Sequence, residues 1–174
     1  SAHGFREMRF PDCEGYLMTA KLFMNPKPVV LRTEDTIAQG ARKIMAKQRR
    51  SLPVVDETGR FQGMLTANCL LYLCLPKAAT MARGLDSIPY VENSLEDVAE
   101  RLRQHMDEPV GVCLKTENVA VVHPDTPIVE TLLTLYQTKA NLPVVEKDTG
   151  RLAGMISYYN VGAKIMEAVG AETE

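Results

Sequence analysis

SLPVVDETGRFQGMLT, residues Ser51–Thr66, recurs as NLPVVEKDTGRLAGMIS, residues Asn141–Ser157. Leu-Pro-Val-Val, Thr-Gly-Arg and Gly-Met fall in the same order in both copies. The second copy carries one extra residue, in the turn before its Gly154. Upstream, Asp35-Thr36 stands at the same distance from Pro53 as Asp125-Thr126 stands from Pro143. An internal repeat constrains the fold more than any single residue does. It predicts one structural unit built twice, with two equivalent sites or one dyad-related cleft between the copies.

Each copy reads as strand–helix–strand–strand–helix. Pro28–Leu31 is short and β-branched and predicts a strand. Thr33–Thr36 is polar and suits a helix cap. Ile37, Ala41, Ile44, Met45 and Gln48 then fall at helical spacing. Leu52–Val55 and Arg60–Leu65 make a hairpin around the turn Asp56-Glu57-Thr58-Gly59. Pro53 lacks an N–H, so it belongs at a strand start or an edge. Thr66 opens a helix that stops at Pro76. In the second copy Val119–Val122 predicts the first strand. Asp125-Thr126-Pro127 predicts the start of a helix with a stripe of Ile128, Leu132, Leu135 and Tyr136. Leu142–Val145 and Leu152–Ile156 form the hairpin, and a last helix runs from Ser157 towards Gly170. One unit alone leaves a sheet face poorly covered, so the two are expected to pair. The expected division is an N-terminal extension over 1–18, a first unit over 19–76, a connector over 77–108 and a second unit over 109–170. In the connector Ser94 caps a helix with Asp97 three residues on, and Leu95, Val98, Ala99, Leu102 and Met106 supply its stripe.

The chain has 174 residues, 45% of them apolar, and a formal charge of −2. That balance argues against a nucleic-acid footprint. No apolar run approaches the roughly 20 residues of a membrane span, and no signal peptide is evident. The chain does not begin with Met, which suggests a fragment of something longer. Cys13, Cys69, Cys74 and Cys113 show no CxxC spacing; free thiols in a reducing cytoplasm are the simplest expectation. His3, His105 and His123 are too scattered to suggest a metal site. No nucleophile–base pairing and no Walker-type loop appears, so a free-standing enzyme is not expected.

Leu52-Pro53-Val54-Val55-Asp56, Gly59 and Gly63-Met64-Leu65-Thr66, with Leu142-Pro143-Val144-Val145-Glu146, Gly150 and Gly154-Met155-Ile156-Ser157, resemble a tandem pair of CBS domains, often called a Bateman module. Thr19-Ala20-Lys21-Leu22-Phe23-Met24, followed by Asn25-Pro26, resembles the lead-in of that family. The resemblance implies an α/β (α+β) fold of two β-α-β-β-α units about a pseudo-twofold axis, with a helical connector. It implies clefts for an adenosine-containing ligand such as AMP, ADP, ATP or S-adenosylmethionine. No required cofactor is implied. Homodimers, and a fused or associated effector that reads the signal, are implied as well.

In the family a Thr or Ser follows the glycine–hydrophobic–hydrophobic run, and an Asp follows three residues later. The hydroxyl lies at a helix N-terminus, where free N–H groups favour phosphate; the Asp accepts hydrogen bonds from ribose. Here Leu65 and Ile156 precede the hydroxyls of Thr66 and Ser157, but Cys69 and Asn160 stand in place of Asp. Asn keeps an amide oxygen as acceptor, whereas Cys is a poor one. Losing a charge-assisted bond costs about 1.5–3 kcal/mol. Thr66 and Ser157 are equally good helix caps. Arg49 and Arg50 in the first copy, with Lys139 and Ala140 in the second, occupy positions that often line the family's cleft. The basic residues among them would suit an anion or simply a helix C-terminus. His123 joins a strand to a helix near the same cleft. The leading expectation is a regulatory module with a ligand in the second-copy cleft. The alternative is a dimerisation scaffold with degenerate sites.

Overall fold

A computed structural model of the chain describes residues 18–81 and 94–171. The first repeat comprises β1 (Leu31–Arg32), α1 (Ile37–Ala46), β2 (Ser51–Val55), β3 (Phe61–Thr66) and α2 (Ala67–Cys74). Helices α3 (Lys77–Met81) and α4 (Leu95–Arg103) follow. The second repeat comprises α5 (Ile128–Thr138), β4 (Leu142–Val145), β5 (Leu152–Ile156) and α6 (Tyr158–Ala168). The N-terminal extension before Met18 lies outside the described residues.

Both hairpins form where the repeat places them, and they share their irregularities. β2 pairs antiparallel with β3 and slips register between Val54 and Val55; β4 pairs with β5 and slips between Val144 and Val145. The turns close by Asp56 N–H donating to the Arg60 carbonyl and Glu146 N–H to that of Arg151. Gly59 and Gly150 take positive φ there, 82° and 70°, a conformation open to glycine at no steric cost. The extra residue of the second copy is absorbed within its turn.

The two hairpin tips meet. Phe61 N–H donates to the Gly150 carbonyl and Leu152 N–H to the Gly59 carbonyl, with Arg60 opposite Arg151. Each bond is the image of the other under exchange of the copies, as in an isologous contact. The pseudo-twofold axis therefore passes between Arg60 and Arg151.

The lead-in segments are exchanged between the halves. The lead-in before the first repeat docks on the second: Asn25 and Met155 trade backbone hydrogen bonds, and Ala20 and Phe23 sit in one core with Val122, Leu135, Leu142, Val144, Ile156 and Val161. The lead-in before the second repeat docks on the first: Lys115 and Met64 trade the same two bonds, and Val110 joins Leu31, Ile37, Ile44, Leu52, Val54, Leu65 and Leu70. The exchange also satisfies helix starts, whose first N–H groups lack intrahelical partners. Ile37 donates to the Glu108 carbonyl and Ile128 to that of Met18.

This docking explains the glycine of each Gly-Met motif. A Cβ at Gly63 would lie 2.8 Å from the Lys115 carbonyl oxygen. A Cβ at Gly154 would collide with the Asn25 carbonyl oxygen and the Met24 side chain. Only a residue without a side chain lets the exchanged backbone come this close.

Several expectations are corrected. The first strand shrinks to Leu31–Arg32, because Pro28 has no N–H to give and Val29 is exposed. In the second half no strand forms over 119–122; a single parallel bridge joins Val122 to Val144. Helix α1 buries Ile37, Ala38, Gly40 and Ile44 and turns Met45 to solvent. Helix α5 buries Thr131 and Leu135 and exposes Tyr136. Thr131 is tolerated in the core because its hydroxyl donates to the Pro127 carbonyl. Pro127 is itself the N-cap of α5, with no side-chain cap, and the Thr126 hydroxyl instead accepts from His123 N–H. Thr36 in the first half and Pro127 in the second are therefore equivalent: each bridges the exchanged lead-in, to Pro109 and Thr19. The Asp-Thr pairs are out of step by one residue. Ser94 and Asp97 form the expected capping box on α4, yet its stripe is shallow, with Leu95 at the surface and Leu102 touching the first core.

The thiol expectation is corrected too. Cys69 and Cys113 form a disulfide, with their Cα atoms 6.3 Å apart, and Cys74 is free. Cys13 lies outside the described residues.

Candidate functional site

At the junction of the halves lies a cleft of about 90 Å³. Ser51, Met64 and Thr66 line it from the first repeat. Asn118, Val119, Ala120, Thr138, Ala140, Asn141 and Leu142 line it from the second, and Lys115 comes from the exchanged lead-in. The missing strand explains the opening: residues 119 and 120 run along the cleft rather than in a sheet. Asn118 turns the chain into it with φ 56°, a left-handed conformation that Asn tolerates.

Thr66 is the N-cap of α2, its hydroxyl accepting from Cys69 N–H at 3.1 Å. The first turn of α2 points its remaining N–H groups to the same end, and Lys115, paired through its backbone with Met64, adds an exposed cation. Together they favour negative charge. Val119, Ala120 and Leu142 give the far side an apolar surface. Convergent polar groups beside an apolar wall, at a boundary between units, are the usual marks of a ligand site. The cleft as it stands admits a few waters of about 30 Å³ each, so a larger guest has to widen it.

The residues singled out from the sequence divide into groups. Thr66 and Ala140 meet in the cleft although they come from different copies. Leu65 and Ile156 are fully buried in the two cores beneath the cap residues. Ser157 caps α6, accepting from Asn160 N–H at 3.2 Å. The pseudo-twofold axis maps Thr66 onto Ser157 and Lys115 onto Asn25. The Asn160 amide donates to the Phe23 carbonyl at 3.4 Å, so its side chain anchors the other lead-in. Cys69 does the equivalent through its bond to Cys113. Arg49 and Arg50 are exposed beyond the C-terminus of α1, and the Arg50 carbonyl accepts from Ala67 N–H. Lys139 is exposed and ends α5 in a left-handed conformation, φ 53°. The ring of His123 is held by the Val145 carbonyl at 2.7 Å from Nδ1.

Of the residues lining the cleft, sequence reasoning singled out Thr66 and Ala140 alone and missed the rest, Lys115, Asn118, Val119, Ala120 and Asn141 among them. Nothing local marks Lys115 among the lysines. Its place follows only from the docking of its segment on β3. A second, wider groove of about 530 Å³ runs between α2 and α4, lined by Leu71, Tyr72, Leu75, Pro76 and Val98. Its lining is mostly apolar and comes from one side of the molecule. Among the described residues no group of three or more His, Cys, Asp or Glu could hold a metal ion, and no helix is long and apolar enough to cross a membrane.

Comparison with known proteins agrees with this architecture. The model of the CBS domain matches residues 20–75 and 110–166. A CBS domain-containing protein of Dictyostelium discoideum is 29% identical over 138 residues, 79% of this chain and 83% of the relative. The crystal structure of CBSX2, a CBS-pair protein from Arabidopsis thaliana, in complex with AMP superposes with a TM-score of 0.63 at 22% identity, covering 87% of this chain and 98% of the other. Protein MJ1004 from Methanocaldococcus jannaschii gives a TM-score of 0.63 at 20% identity over 86% of this chain, which spans only 60% of that protein's length.

Proposed function

With two CBS domains in tandem the chain belongs to the CBS domain family, and from that premise we propose that it is a regulatory module taking an adenosine-containing ligand in the cleft between its halves. The observation that carries this reading is the cleft itself. Both copies line it, so a guest there bridges them and biases their packing. A ligand shifts such an equilibrium only through different affinity for the two states, and a site shared by both halves provides that difference. Thr66 at the start of α2 and Lys115 suit a phosphate, and the apolar wall of Val119, Ala120 and Leu142 suits a base. The AMP complex of CBSX2, a protein of the same fold, makes AMP the first ligand to try. Ser157, with Arg50 and Asn25, marks the pseudo-twofold image of the cleft as a second candidate. The module acts through an attached or associated effector rather than as a catalyst, and needs no cofactor. We place it in the cytoplasm and as a homodimer. Val129, Leu133 and Tyr136 on α5 and Tyr159 on α6 are exposed apolar side chains of the kind that such pairing covers.

A specific observation favours a second reading, a ligand-free scaffold. The two positions where the family carries a ribose-binding Asp are engaged internally, Cys69 with Cys113 and Asn160 with the Phe23 carbonyl. Titration with AMP decides between them. A ligand at a hundredfold over its dissociation constant adds about 2.7 kcal/mol of stability. The sensor reading expects a saturable rise in Tm that Thr66→Ala and Lys115→Ala both weaken. A flat titration with AMP, ADP, ATP and S-adenosylmethionine, on folded protein that sediments as a dimer, would establish the scaffold instead.

A further inference from the structure

The disulfide lies beside the cleft without lining it, and joins two segments that do. Cys69 is the third residue of α2, whose cap Thr66 lines the cleft; Cys113 stands two residues before Lys115, which lines it beside Met64 of β3. Their Cα separation of 6.3 Å is within the range a disulfide spans without backbone movement. Both cysteines are only half-buried, within reach of a small thiol in solvent. Accessible disulfides are the exchangeable ones, whereas structural disulfides resist reduction.

The other half of the molecule shows what the fold itself requires. There the same junction, helix start to exchanged lead-in, is held by one hydrogen bond from Asn160 to the Phe23 carbonyl. The backbone pairing of Lys115 with Met64 matches that of Asn25 with Met155 and needs no covalent bond. The disulfide is thus an addition to a junction that closes without it.

We propose that Cys69 and Cys113 form a reversible thiol–disulfide switch that gates the cleft, closed when oxidised and open when reduced; the gating half of this inference rests on the ligand reading above. The oxidant is a low-molecular-weight disulfide such as glutathione disulfide. The Cys69 thiolate attacks one sulfur of the oxidant, breaking its S–S bond, forming a mixed disulfide and expelling one thiolate. The Cys113 thiolate then attacks the Cys69 sulfur, forming the internal bond and expelling the second thiolate. Two protein thiols lose two electrons and two protons, and one disulfide becomes two thiols. Cys69 lies in the first turn of α2, where negative charge is favoured, and so attacks first. When the bond is reduced, Cys113 loses its covalent tie to α2 while Lys115 keeps its backbone pairing with Met64, and the stretch from Cys113 to Ala120 that enters the cleft is freer to yield to a guest larger than the present 90 Å³.

The test uses the full chain carrying Cys13→Ser and Cys74→Ser, equilibrated across glutathione buffers, acid-quenched, alkylated and read by mass spectrometry. Cys69 and Cys113 should lose alkylation together, in one two-electron transition, as an internal disulfide. Two thiols that stay alkylatable in the most oxidising buffer, or that carry glutathione independently, overturn the switch. Amide hydrogen exchange then reads the gate without any nucleotide. Residues 113–120 should exchange about tenfold faster after reduction, and equal rates in both states overturn the gate. AMP should bind the reduced protein about tenfold tighter than the oxidised one, with Cys69→Ser/Cys113→Ser insensitive to redox state. AMP binding equally in both states overturns the gating of ligand. AMP binding to neither state removes the adenosine reading, while alkylation and amide exchange still decide the switch.

Discussion

The two halves of this molecule share a backbone and differ in how they are tied. In each, the third residue of the helix after the hairpin reaches the lead-in that has crossed from the other copy. In the first half that tie is covalent, Cys69 to Cys113; in the second it is the Asn160 amide on the Phe23 carbonyl. The crossing itself is common to both, through Lys115 with Met64 and Asn25 with Met155. The fold therefore lies in the backbone pairing and the two glycines that admit it, and the side chains at the third helical position are free to differ.

The comparison breaks most completely at the glycines. Gly154→Ala should destabilise the protein by more than about 3 kcal/mol, because the new Cβ meets backbone and Met24 rather than a movable chain end. Gly63→Ala should follow it, adding strain at φ 152°. Chemical denaturation measures both, and an Ala tolerated at 154 would show that the Asn25 pairing is dispensable. Next comes the covalent tie. Cys113→Ser should lose about 2–4 kcal/mol under oxidising conditions and almost nothing in excess reductant. An equal loss in both would mean that packing, not the bond, was removed. Asn160→Ala should cost about 0.5–1.5 kcal/mol in either redox state, the ordinary worth of one hydrogen bond. If Asn160→Ala proves as costly as Cys113→Ser in oxidised protein, the contrast between the halves disappears.

The smallest effect is acid-dependent. Hydrogen bonds from the Ser94 backbone N–H and hydroxyl hold Asp97 below its ordinary value of 3.8. The Thr58 hydroxyl does the same for Asp56, and Lys147 for Asp125. A carboxylate with a lowered folded pKa stabilises the fold above its unfolded pKa, and that stabilisation is lost as pH falls through the folded value. Asp97 and Asp125 are solvent-exposed and Asp56 partly so, and the loss of Tm should be small and set in as pH falls below about 3.8. Asp97→Asn should flatten the part belonging to α4, as read by helical circular dichroism; an unchanged profile would assign the acid loss to the turns.

What the sequence made legible is what is local. The hairpin turns at Gly59 and Gly150, and the caps Thr66, Ser157 and Ser94, each depend on residues within a few positions, and they form as their spacing predicts. The repeat itself announces the pseudo-twofold axis. Three features escaped because distant chain sets them. Pro28–Val30 and Val119–Val121 have the composition of strands, yet the second of these runs borders the cleft instead of pairing. The cleft's residues were read copy by copy, Ser157 with Ala140, whereas the exchanged lead-ins bring Ala140 to Thr66. Cys69 and Cys113, 44 positions apart, gave no spacing signal that marks a pair.

The exchange of lead-ins has a consequence for synthesis. The stretch from Met18 to Asn25 is synthesised well before its partners, Ile128 and Met155, and waits for them. Long-range pairings of this kind close late, because the loop entropy is lost before the contact forms. The first half likewise waits for Val110 and Lys115 before its core is filled. Neither half is whole when cut from the other, so a nascent chain of this protein has little to gain from folding stepwise.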